Sequence, residues 1–312
     1  IGNSQAMQEV FDLIAQVSRS EATVLIRGES GTGKELVAQA LHACGHRKEG
    51  PFVAINAAAL PETMVEAELF GHEAGAFTGA ERERVGRIGA ANGGVLFLDE
   101  IVSMPMSLQP KLLRVLQEKQ VDRIGARKPV PVDFRIVSAA NVEPRDAVAS
   151  RELREDLLFR LNTIEIAIPP LRERGNDALL LFDTFVNRFS AQYATTVPDV
   201  TARDEAFLRT YDWPGNVREL RNAAERFVLN ASVGRQSLEA LVLGGRGHAG
   251  ENAGSSLKDL MDNYEKRVIA NALRRYEGRI ADVMQELGVP RRTLNEKMAR
   301  LNVSRPGALS EK

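Results

Sequence analysis

The 312-residue chain holds one cysteine, Cys44, one tryptophan, Trp213, and only 5% aromatic residues. A single thiol excludes any intrachain disulfide framework and favours a reducing, cytoplasmic setting. No apolar run approaches the ~18 residues that a bilayer span needs, and no signal-peptide pattern opens the chain. A soluble intracellular protein without a membrane partner is therefore expected. The four histidines, His42, His46, His72 and His248, stand apart from any acid or cysteine cluster with metal-ligand spacing. His42 and His46 share a helix face, but a zinc site is not expected there.

What is present is ordinary for a globular protein: 44% hydrophobic and 27% charged residues, enough for two or three domains at this length. Net charge is -1, unevenly spread. Residues 257–312 carry 12 Lys and Arg against 8 Asp and Glu, while the remainder carries 29 against 34. A mildly basic tail on an acidic body fits a nucleic-acid contact at the C-terminus, although small helical domains with a few surplus arginines show the same balance. The chain opens on Ile1 rather than Met, which leaves room for a preceding segment.

Five short apolar runs, "ATVLIRG", "PFVAIN", "GGVLFLDE", "DFRIVSAAN" and "TIEIAIPP", alternate with stretches of helical periodicity such as Leu108, Leu112, Leu113 and Leu116. Residues 1–168 thus read as an α/β domain with a mainly parallel sheet. From 169 to 245 only helical patterns remain, as in "NDALLLFDTFVNRFSAQY" and "VRELRNAAERFVLNAS". Residues 246–256, the body of "GGRGHAGENAGSS", read as a flexible linker. The final block, 257–312, is helical again: Ser256 can cap a helix with apolar positions at Leu257, Leu260, Met261, Tyr264, Val268 and Leu273. Two shorter helices follow, with Gly288 ending one and Pro290 opening the next.

"GESGTGKE", residues 28–35, lies between a strand and a helix and has the G-x4-G-K spacing of a phosphate-binding loop. In that context the backbone N–H groups of Gly28, Glu29, Ser30, Gly31, Thr32 and Gly33 can cradle phosphate oxygens, and Lys34 can reach the outer phosphates. An ordinary glycine-rich turn is the competing reading. Glu35 closes the motif and is expected among the cofactor-binding residues, but it stands where many such loops have a Mg2+-binding hydroxyl, so metal binding falls to acids elsewhere. Asp99 and Glu100, at the end of the strand run "VLFL", supply them: Asp99 can position Mg2+ and Glu100 can polarise an attacking water. Asn141 and Asn56, each ending a strand run, can sense phosphate or merely begin a turn.

"GHEAGAFTGA", residues 71–80, is harder to place, because it holds Phe77 among glycines where burial is difficult. In isolation it reads as a hairpin turn. At the other end, "GRIADVMQELGVPRRTLNEKMARL" has the two helices and short turn of a helix-turn-helix. Arg291, Arg292, Thr293, Asn295 and Lys297 sit on the second helix, where DNA contacts are made. A small bundle with solvated arginines remains open on spacing alone.

Together "GESGTGKE", "ELFGHEAGAFTGA", "LFLDEI", "LREDLLFRLN", "PPLRER" and "WPGNVREL" resemble the AAA+ domain of bacterial enhancer-binding proteins, the ATP-driven activators of sigma-54 RNA polymerase. The resemblance covers nearly the whole chain and extends to a C-terminal Fis-type domain. It is also similar to the dicarboxylate-transport activator subgroup. The resemblance implies ATP and Mg2+ as cofactors, Asp99 for the metal and Glu100 for hydrolysis. It implies that Asn56 restrains Glu100, that Asn141 is a first sensor and that Arg218 is a second. Arg154 and Arg160 would be arginine fingers acting on a neighbouring subunit in a hexameric ring, although "ELREDLLFR" also permits plain salt bridging. Gly75, Ala76, Phe77, Thr78, Gly79 and Ala80 would contact sigma-54. Enhancer DNA would be bound by a dimer joined through the helix from 257 to 276, and a two-component arrangement is implied as an option. Ala57, Ala140, Gly89, Asn92, Val283 and Met284 depart from the family's usual residues without touching these positions. A second function stays open on the sequence: a DNA-binding regulator that uses ATP only as an assembly ligand, without turnover.

Overall fold

The computed structural model describes residues 2–59, 62–77, 80–231, 237–249 and 279–300, together with Ile269 and Tyr276. The chain divides into two compact units, Ile1–Leu238 and Glu239–Lys312.

The first unit is built on a five-stranded sheet of β1 (Val24–Arg27), β2 (Phe52–Asn56), β3 (Val95–Asp99), β4 (Arg135–Ala140) and β5 (Ile164–Ala167). The spatial order is β2-β3-β4-β1-β5 and every pairing is parallel, as the five apolar runs predict. β4 is buried along its whole length, which is why its sequence is a continuous small and apolar run rather than an alternation. Side chains alternate between two cores. Leu25, Leu96, Leu98 and Ile136 face one side with Leu112, Leu116, Leu157 and Leu161. Val24, Ile26, Phe97, Val137 and Ile166 face the other, against Val10 and Ile14 of α1 (Gln5–Ser18) and Ala38 and Leu41 of α2 (Lys34–Ala43). The one charge in β4, Arg135, is buried, and its guanidinium donates to the carbonyls of Val17, Ser18 and Ala22 at 3.0, 3.2 and 3.1 Å. It thereby satisfies orphan acceptors at the end of α1. Because all five strands run the same way, residues following their C-terminal ends gather along one edge, where ligands of open α/β sheets bind.

Three further helices pack on the first core: α3 (Glu62–Phe70), α4 (Gln109–Glu118) and α5 (Glu155–Leu161). Two short antiparallel hairpins pair Gly71–His72 with Arg84–Val85 and Gln120–Val121 with Val130–Pro131, and Val121 packs into the first core.

After β5 the chain turns all-helical, with α6 (Asp177–Gln192), α7 (Ala202–Thr210) and α8 (Asn216–Ala231). Phe182 of α6 meets Phe227 of α8 edge to face at 5.5 Å. Trp213 is buried in the α7–α8 turn, donating from Nε1 to the Leu208 carbonyl at 3.1 Å, so it anchors this lid.

Helix α9 spans Leu238–Ala249, and here the linker expected at 246–256 is corrected. Its residues 246–249 are helical. Leu238, Leu241 and Val242 are buried and start the helix, and each glycine beyond them costs only ~1 kcal/mol relative to alanine, too little to stop it at Gly244. Residues 250–256 lie outside the described residues, as do Ser256 and, apart from Ile269 and Tyr276, the expected dimer helix.

In the second unit, α10 (Ile280–Leu287) ends at Gly288, which is left-handed at φ 61° and donates to the Met284 carbonyl. Helix α11 (Arg291–Arg300) follows Pro290. Val283, Leu294 and Met298 are buried together with Ile269 and Ile280. This is the helix, tight glycine turn and helix anticipated from the spacing.

Candidate functional site

Residues 28–33 carry the chain from β1 into α2. Gly31 at φ 80° and Gly33 at φ 102° occupy left-handed backbone that a side chain would strain. Lys34 opens α2 and is almost buried; its Nζ donates to the carbonyls of Gly28 at 2.8 Å and Glu29 at 3.1 Å. Burial lowers its pKa, while the charges of Asp99 and Glu100 act in the opposite direction. The ammonium is thus held inside the loop within electrostatic reach of both acids, the arrangement a polyphosphate ligand requires.

Asp99 ends β3 directly beside Asn56 of β2. The Asn56 amide lies 3.5 Å from Asp99 Oδ2, and its oxygen accepts from Ala58 N at 2.9 Å. In this conformation the contacts of the Asn56 side chain are with Asp99, its register neighbour, and with Ala58 N. Glu100 sits in left-handed backbone at φ 53°, uncommon for a residue with a side chain and frequent at functional sites. Its N–H donates to Asp99 Oδ1 at 3.1 Å. Among the described residues no group of three or more His, Cys, Asp or Glu stands together. A hard divalent cation that keeps its waters and takes phosphate oxygens needs only one or two carboxylates, and Asp99 with Glu100 meet that requirement.

The lid reaches the loop directly. Arg218 donates from Nη1 to Ser30 Oγ at 3.0 Å. The Glu29 carboxylate takes two bonds from Arg172, at 2.7 and 3.0 Å, which together with Asn216 hold it below the usual carboxylate range. Arg174 is buried and donates to Thr32 O at 3.0 Å and Pro169 O at 2.9 Å. The side chains of Glu29 and Ser30 are taken by the lid, leaving their backbone N–H groups for phosphate, and Thr32 Oγ1 donates to Glu29 O at 2.8 Å. Glu35 points along the exposed face of α2 to Gln39 at 3.2 Å. Sequence reasoning missed Arg172, Arg174 and Asn216, although "PPLRER" and "WPGNVREL" carry them. A cleft of about 670 Å3 opens beside the loop, with Glu29, Arg172 and Asn141 in its lining.

Arg154 and Arg160 flank the start and end of α5. The Arg154 guanidinium is bidentate on Asp156 at 2.7 and 3.0 Å, and Arg160 reaches the Leu116 carbonyl at 3.3 Å. The side chain between them, Phe159, is 74% exposed.

The glycine-rich loop leaves the hairpin at His72. Gly75 N donates to Ala80 O at 2.8 Å and Ala80 N to Phe77 O at 3.0 Å, so the loop closes on itself. Phe77 is 45% exposed, with its ring against the edge of the buried His72 ring at 4.9 Å. Ala80 is buried, which corrects its expected place in a contact surface: it forms the base of the loop. Thr78 and Gly79 lie outside the described residues. The second hairpin supports this base, Ile124 exchanging backbone bonds with Gly71 and Glu73 at 2.9 and 3.0 Å. In the second unit Arg291, Arg292 and Asn295 are exposed along α11, while Thr293 and Lys297 are half-buried.

Comparison with known proteins follows this division of the chain. Residues 1–167 match the sigma-54 interaction domain, 172–253 the AAA+ ATPase lid domain and 261–301 the bacterial regulatory protein, Fis family. The C4-dicarboxylate transport transcriptional regulatory protein DctD of Pseudomonas aeruginosa is 46% identical over 96% of the chain and 63% of its own length. The Rhizobium meliloti DctD is 42% identical over 98% of the chain and 65% of its own length. The chain thus spans just under two thirds of these relatives. The transcriptional regulatory protein ZraR of Salmonella typhimurium is 44% identical, over 96% of the chain and 68% of its own length. Among solved structures, NtrX from Brucella abortus in complex with ADP is 33% identical, with a TM-score of 0.77 over 97% of this chain and 69% of that one. With these matches along its length, the chain belongs to the sigma-54-dependent transcriptional activators, an AAA+ P-loop NTPase with a helical lid and a C-terminal Fis-type helix-turn-helix.

Proposed function

We propose that the protein hydrolyses ATP in an oligomeric ring, binds enhancer DNA through α11, and uses the loop at residues 75–80 to drive a sigma-54 RNA polymerase closed complex to the open state. The observation that carries the reading is the joining of two features in one unit: a lysine and two acids suited to phosphoryl transfer, and a glycine-rich loop whose Phe77 is half exposed. A binding-only regulator has use for the first and none for the second.

The chain's own residues divide the work. Backbone N–H groups of residues 29–33 and the Lys34 ammonium hold the phosphates, exchanging the carbonyl contacts of Lys34 for phosphate oxygens, while the Gly28 N–H stays in the sheet on the Ala140 carbonyl at 3.2 Å. Asp99 holds Mg2+, which when bound neutralises phosphate charge. Glu100 orients the attacking water and takes up its proton. Arg218 follows the nucleotide from the lid, and Asn141 does so from the end of β4. Arg154 and Arg160 serve the adjoining subunit's site, and release of Arg154 from an exposed pair with Asp156 is cheap, because such pairs contribute ~0–1 kcal/mol. The α10–α11 unit tethers the ring to DNA, and the relatives named as transcriptional regulatory proteins support an activator of this kind.

Two variants test the reading. Glu100→Gln should bind ATP with near-normal affinity and turn it over at least about a hundredfold more slowly. Phe77→Ala should keep most ATPase activity and lose open-complex formation on a sigma-54 promoter. Near-normal turnover in the first removes Glu100 from the chemistry, and retained promoter opening in the second removes the loop from the coupling.

A further inference from the structure

We infer that Asn216 is a positioning residue for the nucleotide site, the point at which lid and phosphate-binding loop are locked in register; this rests on the nucleotide-binding reading of residues 28–34 given above. Asn216 is fully buried, so its amide depends on protein partners. Its Nδ2 donates to Glu29 Oε2 at 3.0 Å and to Ser30 O at 3.1 Å. Its Oδ1 accepts from Leu171 N at 2.8 Å, and its own N–H donates to Trp213 O at 2.7 Å. One side chain therefore joins the loop, the connection leaving β5 and the first turn of α8.

The backbone confirms that the position is specified by geometry. Asn216 lies at φ 50°, a conformation that asparagine tolerates better than other non-glycine residues. Gly215 before it packs so closely on the loop that a Cβ on Gly31 would stand 2.3 Å from the Gly215 carbonyl. Two residues after it, Arg218 touches Ser30. An acid in a phosphate-binding loop repels the ligand, and Asn216 with Arg172 turns Glu29 away from the phosphates and into the lid. The arrangement gives Glu29 its purpose: it is the handle by which the lid grips the loop. Asn216 acts through the loop it holds in place: the Glu29 carboxylate and the Ser30 carbonyl, whose peptide carries the Gly31 N–H.

The exposed Glu29–Arg172 pair alone would contribute little, whereas a buried amide bonded to a charged acceptor is costly to lose. The test therefore centres on Asn216. In the full chain with Mg2+, Asn216→Gly keeps the left-handed backbone and removes the amide, and it should weaken ATP binding about tenfold. Asn216→Asp sets a carboxylate against Glu29 and should weaken binding at least as much. Adding Glu29→Gln to Asn216→Asp should recover binding at least threefold, a rescue that general loss of stability would not produce. Melting temperatures measured alongside identify any variant that does not fold. Should both 216 variants fail to fold, Glu29→Ala removes the same bond from the loop side and must weaken binding at least threefold. Affinities within twofold of wild type in the folded variants, or no rescue, overturn the inference alone. A wild-type chain that binds no ATP overturns the nucleotide reading and this inference with it.

Discussion

At the scale of single residues, the site depends on a few side chains whose environments set their state. Lys34 is buried, countered by Asp99 and Glu100, so Lys34→Ala leaves two acids facing the ligand uncompensated. ATP binding should fall below detection in a titration that reads the wild-type chain easily. Trp213 is packed edge to face on Tyr211 at 5.0 Å and Phe207 at 6.1 Å. Trp213→Ala should cost about 3–5 kcal/mol of stability, read by denaturant unfolding. These positions differ in how visible they are beforehand. Lys34, Asp99 and Glu100 are legible because their chemistry demands fixed residue types at fixed spacing. Asn216 and Arg174 are not, because each does its work by bridging segments more than 140 residues apart in sequence.

At the scale of elements, the parallel sheet was readable because each strand is a short continuous apolar run, and burial on both faces admits little else. The lid helices were readable from their period. The glycine-rich stretch reads as a hairpin turn, but its two-residue strands and the second hairpin that supports it were not readable, since strands of two residues have no period to detect. The end of α9 misled for the opposite reason: glycine content reads as linker, yet a helix already started tolerates it. Gly31 shows how an element contact hides inside a motif. The phosphate-binding pattern explains it as a turn, while the structure adds the Gly215 carbonyl above it. Gly31→Ala is expected to loosen the lid as well as strain the loop, so that ATP affinity falls more than tenfold while the melting temperature of the chain drops by only a few degrees.

At the scale of the whole molecule, predictions concern assembly and DNA. If Arg154 serves a neighbouring site, Arg154→Ala and Lys34→Ala proteins should each be inactive alone, and mixing them should restore ATPase activity. In an equal random mixture about a quarter of the subunit contacts join an intact finger to an intact site. No recovery on mixing would assign Arg154 to its own subunit. For the second unit, Arg292→Ala should weaken enhancer binding and, if the contact is to phosphate, lower the slope of log K against log salt by about one.

The seat of Phe77 against His72 has a consequence for the life of the protein between signals. A half-exposed aromatic side chain is a hazard toward every apolar surface in a crowded cell. Resting its ring on a buried imidazole leaves only part of the tip available for chance encounters, and replacing His72 with alanine should raise the tendency to aggregate at rest, measurable by light scattering, before it changes anything about turnover. The same contact that makes the loop ready for use makes it safe to store.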